Sequence, residues 1–334
     1  MIAIDAIPFS IGRKPGCALQ LGARTVSGHH ADLLLQNGSL VLVDRGSTNG
    51  TFVNGQRVTL PTVLSEDTLI QFADVAFRVR RNQSTDASQT IAENVCDRAL
   101  ALVQFDRLLQ DRLVTPFFQP IIDLKTMECK GYEILARSRL FGLENPDAMF
   151  DAAAKLSLEV ELSHMLRWEG VLKGLTLPGR PCLFVNTHPL ELNSGTLVES
   201  MVQIRQLSPE IPLVLEIHES AVSSPHAVGE LTKQIRDLNI RIAYDDFGAG
   251  QGRLAELGES PPDILKFDMS LLHNIDTATS ERQRVLQSLV AMVLELGVEP
   301  LAEGIETPAE AKVCREMGFV TAQGFLFGRP APMR

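Results

Sequence analysis

Eight short apolar segments follow Thr115, and most of them are separated by stretches whose apolar residues recur with helical spacing. In chain order these segments are FFQPIIDL, KGYEILAR, PCLFVNTHP, IPLVLEIHE, IRIAYDDFG, DILKFD, VEPLAEGIE and TAQGFLF. Strands that alternate with helices favour a sheet with helices packed against its faces. Eight such strands within roughly 220 residues suit a closed barrel of the TIM type. An open, doubly wound sheet is the alternative architecture.

The first 80 residues show no helical spacing and alternate in the manner of short strands. The candidate strands are FSIGR, ADLLLQ, SLVLVD, GTFVNG, TLIQFAD and VAFRVR. Turns rich in Gly, Asn and Asp separate them, which predicts a small all-β sandwich. We therefore expect a multidomain chain, with the sandwich at 1–80 and the α/β barrel at 100–334.

The segment between the two domains begins with RRNQSTDASQT, a polar run that predicts a linker. After it, apolar residues recur every three or four positions, at Ile91, Val95, Ala99, Leu102, Phe105 and Leu109. This spacing predicts an amphipathic helix. Such a helix joins the domains or pairs with a second copy of the chain, although packing on its own domain is the commoner use of an apolar stripe. We assign 81–99 to the linker and joining helix.

Composition and charge narrow the class of protein. Hydrophobic residues make up 45% and charged residues 22% of the 334, which is typical of globular domains, and no run of about 18 uncharged apolar residues predicts a membrane span. Residues 1–13 lack the basic start of a signal peptide, so we expect a cytoplasmic protein. Five scattered cysteines without a CxxC pair argue against a disulfide framework. The net charge of -10 argues against binding of nucleic-acid polymers.

Polar side chains stand at the carboxyl ends of several predicted barrel strands. They are Glu133, Asn186, Glu216, Asp245, Asp246, Lys266, Glu303 and Gln323. In a barrel these ends meet at one mouth, where the active sites of TIM barrels lie. Each residue by itself has an ordinary explanation, as a solvated strand end, a turn former or a helix cap. Together they predict a site, because so many ionised groups at one mouth repel each other unless a cation is present.

The chemistry of this set favours a hard cation. Five carboxylates and one amide, without a His or Cys partner, are ligands that Mg²⁺ or Mn²⁺ prefers, whereas zinc prefers nitrogen and sulfur. Adjacent acids suit two such ions about 4 Å apart, an arrangement used for displacement at phosphorus. Lys266 adds a fixed positive charge or holds the nucleophile. The glycines after Asp246 carry no GK[ST] or dinucleotide fingerprint, so they do not predict a phosphate cradle.

Eight successive motifs carry a resemblance to a known family. FFQPIIDL, GYEILAR, FVNTHP, LEIHES, YDDFGAG, ILKFD, AEGIET and AQGFLFGRP resemble, in this order, the motifs of the EAL family of cyclic di-GMP phosphodiesterases. The resemblance covers roughly residues 100–334. It implies a barrel with one antiparallel strand that hydrolyses cyclic di-GMP to linear pGpG with Mg²⁺ or Mn²⁺.

The resemblance also implies roles for single residues. Two divalent cations, Mg²⁺ or Mn²⁺, are expected on Glu133, Asn186, Glu216, Asp245, Asp246 and Glu303. Catalytic roles fall on Lys266, Asp246 and Glu303, the last as an alternative acceptor of the proton from the attacking water. The expected nucleotide-site residues are Gln119, Leu135, Arg137, Asp268 and Gln323. Glu219 and Glu306 are expected to support the loop beside the metals.

One stretch departs from the EAL pattern. After DDFG the family usually has Thr-Gly-Tyr-Ser-Ser-Leu, whereas this chain has AGQGRL. The hydroxyl groups that usually accompany Glu219 are absent, and an extra glycine increases the entropy lost when the loop becomes ordered. The alternative to an enzyme is therefore a catalytically weak or inactive EAL domain that acts as a cyclic di-GMP sensor or a protein-interaction module.

The N-terminal strands carry a second set of motifs, SIGR, VSGHHA and DRGSTNGTFVNG. Any one of them can be an ordinary turn between strands. Together, in this order, they resemble the FHA domain, a β-sandwich that binds phosphothreonine peptides through its loops. The resemblance spans about residues 7–80 and implies phosphopeptide contacts from Arg13, Ser27, Thr48 and Asn49, with Gly12 and His30 shaping the loops. Gly28 stands where a basic or amide side chain often follows the serine.

The sequence thus predicts a metal-dependent cyclic di-GMP phosphodiesterase whose FHA domain binds a phosphothreonine-containing protein. We expect a homodimer, on the basis of the EAL resemblance and the joining helix.

Overall fold

The structure is a computed structural model of the 334-residue chain. It describes residues 4, 7–36, 38–66, 68–73, 75–79, 104–193, 195–218, 225–249 and 254–333. The predicted linker and most of the joining helix, including Ile91 and Val95, lie outside the described residues. The chain forms two compact units, Met1–Leu113 with Ser138–Glu144, and Val114–Arg137 with Asn145–Arg334.

Short strands form the N-terminal unit as two sheets. The strands are β1 Phe9–Gly12, β2 Leu19–Gln20, β3 Ala31–Gln36, β4 Ser39–Asp44, β5 Thr51–Val53, β6 Gln56–Arg57, β7 Thr62–Leu64, β8 Leu69–Phe72 and β9 Val75–Arg78. One sheet has the order β2-β1-β3-β4-β7 and the other β6-β5-β8-β9. Ile11 and Leu42 from the first sheet and Ile70 and Phe72 from the second belong to one buried core. The predicted β-sandwich is confirmed.

A closed barrel of eight strands forms the second unit. Its strands are β10 Val114–Asp123, β11 Cys129–Ser138, β12 Cys182–Asn186, β13 Leu213–His218, β14 Ile240–Phe247, β15 Ile264–Phe267, β16 Glu299–Ala302 and β17 Thr321–Gln323. Strands β11 to β17 pair in parallel, whereas β10 is antiparallel to β17. The barrel with an antiparallel strand is therefore confirmed, and the open doubly wound sheet is wrong.

Helices occupy most of the connections between the barrel strands. These helices are α2 Pro146–Leu156, α3 Glu159–Gly174, α4 Leu197–Leu207, α5 Pro225–Asp237, α6 Leu254–Glu259, α7 Met269–Leu272, α8 Ser280–Glu295 and α9 Pro308–Met317, whereas α1 at 104–110 precedes the first barrel strand. Local sequence defines their starts, because Asn145 caps α2 and Thr307 forms a capping box with Glu310 in α9. Within the described part of the chain, every helix is too short or too polar to cross a membrane.

The barrel interior is stacked in layers, an apolar layer below a polar one. The apolar layer consists of Ile121, Cys182, Phe184, Val214, Ala243, Ile264 and Leu301. Side chains alternate along a strand, so residues two positions apart share a face. Five of these apolar residues are each followed, two positions later in the chain, by a polar residue. These polar residues are Asn186, Glu216, Asp245, Lys266 and Glu303. The period of the strands therefore places a polar layer on the apolar floor, toward the carboxyl ends of the strands.

Gly131 of β11 lies so close to the neighbouring strand that a side chain does not fit. A Cβ atom at this position would lie 2.5 Å from the backbone oxygen of Cys182. We expect Gly131→Ala to lower the free energy of unfolding by roughly 1–3 kcal/mol, measured by urea denaturation. Gly229→Ala is the matched control, because a Cβ atom there meets nothing within 4 Å and alanine favours helix α5. Equal destabilisation by the two variants would contradict this expectation.

Candidate functional site

Lys266 on β15 places a buried ammonium group at the centre of the polar layer, with 1% of its side chain exposed. Its Nζ atom lies 2.7 Å from Glu216 Oε1, 2.8 Å from Asp245 Oδ1 and 3.0 Å from Glu303 Oε1. Glu133 Oε2 lies further away, at 3.9 Å. These carboxylates come from β13, β14, β11 and the residue that follows β16. The structure thus brings four of the predicted acidic residues together around one ammonium group.

Amide side chains bind Glu133 and set its orientation. Asn186 Nδ2 donates to Glu133 Oε1 at 3.2 Å, and Gln323 Nε2 donates to Glu133 Oε2 at 2.5 Å. Gln323 Nε2 also donates to Gln119 Oε1 at 2.9 Å. The expectation that Glu133 ends its strand is wrong, because β11 continues to Ser138. Glu133 still reaches the polar layer, because Asn186 at the end of β12 and Gln323 at the end of β17 both bind its carboxylate.

Asp245 and Asp246 are neighbours in the chain, yet both reach the same cluster. Consecutive residues of a regular strand face opposite sides. Here the pairing of β14 with β15 shifts register between Tyr244 and Phe247, and Asp246 has a left-handed φ of 61°. One oxygen from each of Asp245, Asp246 and Glu303 consequently lies within 4.8 Å of the others. A locally irregular strand end therefore supplies two adjacent carboxylate groups that can bind a cation.

Burial raises the proton affinity of carboxyl groups in the cluster, and Lys266 offsets this effect only in part. Burial, together with the neighbouring Asp245 and Glu133 carboxylates, raises the pKa of Glu303 to about 8 against the opposing charge of Lys266. Burial likewise raises the pKa of Glu216 well above its usual range. Burial alone would lower the pKa of Lys266, but the surrounding carboxylates raise it well above its usual range. The ammonium is therefore charged, while the cluster retains affinity for further positive charge.

In the sandwich, Arg13, Ser27, Thr48 and Asn49 lie on loops that hydrogen bonds tie together. The Thr48 amide donates to Ser27 Oγ at 3.1 Å, and the Arg13 amide donates to the Ser27 carbonyl oxygen at 2.9 Å. Asn49 Nδ2 donates to the Thr25 carbonyl oxygen at 2.7 Å. Arg13 is exposed. The structure thus gathers the side chains that the sequence predicts for phosphopeptide binding.

His30 lies buried beneath these loops and connects two of them. Its Nδ1 atom accepts the Ser27 amide at 3.1 Å, and its Nε2 atom lies 3.1 Å from the Gly50 carbonyl oxygen. Burial lowers the pKa of His30, which favours the neutral ring that this pair of contacts requires. The side chain of Lys14 occupies the space beside Gly28, since a Cβ atom on Gly28 would lie 2.9 Å from Lys14 Cε.

Comparison with protein families identifies the two domains. A family model described as the EAL domain matches residues 102–330, which is more than half of the chain. The chain belongs to the EAL family. A second model, described as the FHA domain, matches residues 9–73. Both resemblances drawn from the sequence are confirmed.

Known EAL proteins are similar to this chain over its barrel. A probable cyclic di-GMP phosphodiesterase of Escherichia coli, PdeD, is 29% identical over 223 residues, covering 65% of this chain and 42% of that relative, so this chain spans less than half of its length. The PaMucR phosphodiesterase, solved as a c-di-GMP complex, has a TM-score of 0.62 and 28% identity over 69% of this chain and 97% of that one. A manganese and cyclic di-GMP complex of BlrP1 from Klebsiella pneumoniae has a TM-score of 0.56 and 27% identity over 66% of this chain and 56% of that one.

The donor set of this EAL barrel fits a divalent cation. EAL domains are metal-dependent. The oxygens that converge from Asp245, Asp246 and Glu303 are hard ligands, and the raised pKa of Glu303 reflects a carboxyl group that lacks enough neighbouring positive charge. A cation close to these oxygens would supply that charge.

Two of the predicted nucleotide-site residues lie on β11 beyond Glu133. Leu135 and Arg137 are both half-buried. Arg137 Nη1 donates to the carbonyl oxygen of Ala136 at 2.7 Å, and its Cζ atom lies 5.8 Å from the centre of the Phe117 ring. These contacts hold the guanidinium group beside its own strand, and its binding of a nucleotide phosphate stays a prediction.

Other predicted residues make local contacts at the helix starts. Asp268 Oδ1 accepts the Ser270 amide at 2.9 Å and so caps α7. The side chain of Glu306 is exposed, whereas Glu310 is buried and accepts the Glu306 amide at 3.0 Å. Glu310, the third residue of α9, thus holds the backbone just before that helix, and support of the loop beside the metals by Glu306 stays a prediction. Glu219 and the altered segment 250–253 lie outside the described residues.

Three residues beside the cluster escape sequence reasoning. His218 Nε2 lies 2.9 Å from Asp246 Oδ2, and a buried ion pair of Arg167 and Glu191 lies behind Asn186. His218 stands two positions after Glu216 on the same strand, which is a usable signal. Arg167 and Glu191 are separated by 24 residues, so no local pattern connects them.

The raised pKa of Glu303 predicts that cation binding depends on pH. With a pKa of about 8, Glu303 is mostly protonated at neutral pH, and a bound cation displaces that proton. Mn²⁺ affinity is therefore expected to rise from about pH 6 to about pH 8 and to level off above it, with proton release that calorimetry in buffers of different ionisation enthalpy detects. Glu303→Gln is expected to weaken this dependence, and the remainder comes from Glu216, whose pKa is also raised. Affinity that is independent of pH in the unmodified protein would contradict the assignment.

The raised pKa of Glu303 also makes the folding stability of the cation-free protein depend on pH. Because the folded pKa of Glu303 exceeds its ordinary value of 4.5, the folded state holds more protons than the unfolded state between about pH 4.5 and about pH 8. The contribution of Glu303 to stability is therefore complete below this window and is lost as the pH rises through it. Urea denaturation at several pH values, with Glu303→Gln as the reference, measures this contribution.

Proposed function

We propose that the barrel hydrolyses cyclic di-GMP to linear pGpG with two divalent cations, Mg²⁺ or Mn²⁺, and that the FHA domain binds a phosphothreonine-containing protein. The observation that carries this proposal is the convergence of buried and half-buried carboxylates around the buried Lys266 at the mouth of an EAL barrel. The similarity to PdeD and to the c-di-GMP complex of PaMucR supports the choice of substrate.

The acidic cluster supplies the cation ligands in this proposal. The expected ligands are Glu133, Asn186, Glu216, Asp245, Asp246 and Glu303. Held by these residues, a divalent cation would supply positive charge to the phosphoryl oxygens and would lower the pKa of a bound water for in-line attack. The oxygens of Asp245, Asp246 and Glu303, which already converge, form the part of the set that needs least rearrangement.

Lys266 and Glu303 have distinct parts in the reaction. The Lys266 ammonium orients Glu216, Asp245 and Glu303 through its short contacts and contributes a permanent positive charge beside the phosphodiester. Glu303 is the proposed acceptor of the proton from the attacking water, as the alternative to its role as a cation ligand. Addition of that water across one phosphodiester bond opens the ring and leaves the linear dinucleotide.

The FHA loops supply donors for a phosphate. Arg13 offers an exposed guanidinium group, and the Ser27 and Thr48 hydroxyl groups are held 3.5 Å apart. Guanidinium and hydroxyl donors match the acceptor oxygens of a phosphothreonine. Asn49 holds the loop against Thr25 and is expected to contact the peptide backbone.

A homodimer and a cytoplasmic location stay predictions. Light scattering of the pure protein measures the oligomeric state.

Turnover of cyclic di-GMP tests the catalytic part of the proposal. Incubation with Mg²⁺ or Mn²⁺ is expected to yield pGpG on chromatography, and Glu303→Gln is expected to lower kcat roughly 10²- to 10⁴-fold. Glu299→Gln is the matched control, since Glu299 begins β16, the strand that Glu303 follows, and contacts Arg241 and Thr321 instead of the cluster. Tight binding of cyclic di-GMP without product, unchanged by Asp246→Asn, would identify a sensor and sink the enzymatic proposal.

Phosphopeptide binding tests the role of the FHA domain separately. An array of phosphothreonine peptides is expected to bind the full chain, and the same peptides without phosphate serve as controls. Arg13→Ala is expected to weaken binding roughly tenfold or more, because it removes a charged hydrogen-bond donor to the phosphate. If no phosphopeptide binds, or if Arg13→Ala leaves binding unchanged, the proposed phosphothreonine site is wrong.

A further inference from the structure

A buried ion pair lies behind the strand end that carries Asn186. It joins Arg167 of helix α3 to Glu191 in the short 3-10 helix Pro189–Asn193, and both side chains have 0% exposure. Arg167 Nη2 donates to Glu191 Oε2, and Arg167 Nη1 lies 3.2 Å from Glu191 Oε1. Ser163 also donates to Glu191, and Ser200 of α4 accepts from Arg167 at 3.2 Å. The pair therefore has both charge partners and hydrogen-bond partners inside the protein.

Both members of the pair also bind the backbone that leaves β12. Arg167 Nη1 donates to the carbonyl oxygen of Asn186 at 2.8 Å, and the His188 amide donates to Glu191 Oε1 at 2.8 Å. Between these two contacts, the Thr187 amide and hydroxyl donate to the Glu216 carbonyl oxygen at 3.1 and 2.8 Å. Asn186 at the end of the strand and the two residues after it are thus each held by a hydrogen bond, and the ion pair makes two of these three contacts.

The side chain of Asn186 benefits from this restraint. It points toward the cluster, where its Nδ2 atom donates to Glu133 Oε1 at 3.2 Å. That contact uses the amide nitrogen of Asn186 and leaves its carboxamide oxygen as the atom with ligand character. A rotation of the backbone at this strand end would move that oxygen away from the other ligands, so the contacts to positions 186 and 188 govern its placement.

Stability alone does not account for such a pair. Buried ion pairs are often replaced by apolar residues of similar volume without loss of stability, because desolvation offsets most of the attraction. Burial alone would raise the pKa of Glu191, but Arg167 and the hydrogen bonds from His164 and Ser163 hold it at about 2. Glu191 is therefore ionised at every pH at which the protein is used, and the pair is a permanent restraint on the strand end.

We propose that Arg167 and Glu191 are positioning residues that preorganise Asn186 as a ligand of the divalent cation. This inference rests on the proposed function, since it requires Asn186 to bind the cation. Ligand orientation by residues outside the coordination sphere typically changes metal affinity roughly ten- to a hundredfold.

Mn²⁺ binding to the full chain, measured by calorimetry without nucleotide, tests the proposal. Arg167→Met is expected to raise the Mn²⁺ dissociation constant roughly ten- to a hundredfold. Arg205→Met is the matched control, because Arg205 on α4 also holds backbone carbonyls, those of Ile211 and Asn239 ahead of strands β13 and β14. That variant is expected to lower the melting temperature while leaving Mn²⁺ affinity unchanged. Equal loss of affinity in both variants would overturn the proposal.

A double variant separates positioning from folding. Arg167→Met combined with Glu191→Leu removes both charges, so no uncompensated buried charge remains and the melting temperature is expected to recover relative to Arg167→Met alone. Mn²⁺ affinity is expected to stay as weak as in the single variant, because no arginine donates a hydrogen bond to the backbone carbonyl oxygen of Asn186. A double variant that folds and binds Mn²⁺ as tightly as the unmodified chain would overturn the proposal.

Asn186→Ala distinguishes failure of this inference from failure of the proposed ligand set. If Asn186→Ala binds Mn²⁺ as the unmodified chain does, Asn186 is not a ligand, and the assigned ligand set and the positioning role both fail. If Asn186→Ala weakens binding and Arg167→Met does not, the ligand set stands and the positioning role alone fails.

Discussion

The buried ammonium of Lys266 is the interaction on which the barrel mouth depends. Taking several carboxylates out of water is costly, and it is tolerated only where opposite charge and hydrogen bonds accompany them. Lys266 lies within 3.0 Å of three carboxylates, and amide groups of Asn186 and Gln323 bind the fourth, Glu133. The compensation is incomplete, as the raised pKa of Glu303 shows. The carboxylate charge that Lys266 does not offset is the charge that a cation would neutralise.

The barrel makes this arrangement possible through geometry. Its strands converge at one mouth, and their two-residue period stacks a polar layer on an apolar floor. The floor, which includes Phe184 and Ile264, keeps water from below the cluster and thereby strengthens each charge interaction above it. The regular period supplies one inward residue per strand at that level. At the irregular end of β14, the left-handed Asp246 adds a second carboxylate ligand from the same strand.

Much of this organisation is readable from the sequence, because it depends on local periodicity. Eight apolar segments predict the barrel, and polar residues at their ends predict which side chains meet. What the sequence does not reveal depends on contacts between distant segments or on exact strand lengths. Glu133 lies inside a strand that continues past it, and Glu310 accepts the amide of Asn274, 36 positions away. Strands β2 and β6 have two residues each, too few to show any alternation. The pair of Arg167 and Glu191 forms only once α3 packs beside the turn after β12.

The two domains place opposite electrostatic demands on their ligands. In the barrel, several carboxylates surround a single ammonium group, so the cluster attracts a cation. An anionic nucleotide is then attracted only through that cation. In the sandwich, the exposed guanidinium of Arg13 and the hydroxyl groups of Ser27 and Thr48 present donors that suit an anion directly. Both ligands expected here carry phosphate, but the acidic cluster repels a phosphate unless a cation neutralises it, whereas the loops of the sandwich need none. Divalent cations are therefore expected to govern the barrel and to leave phosphopeptide binding nearly unaffected.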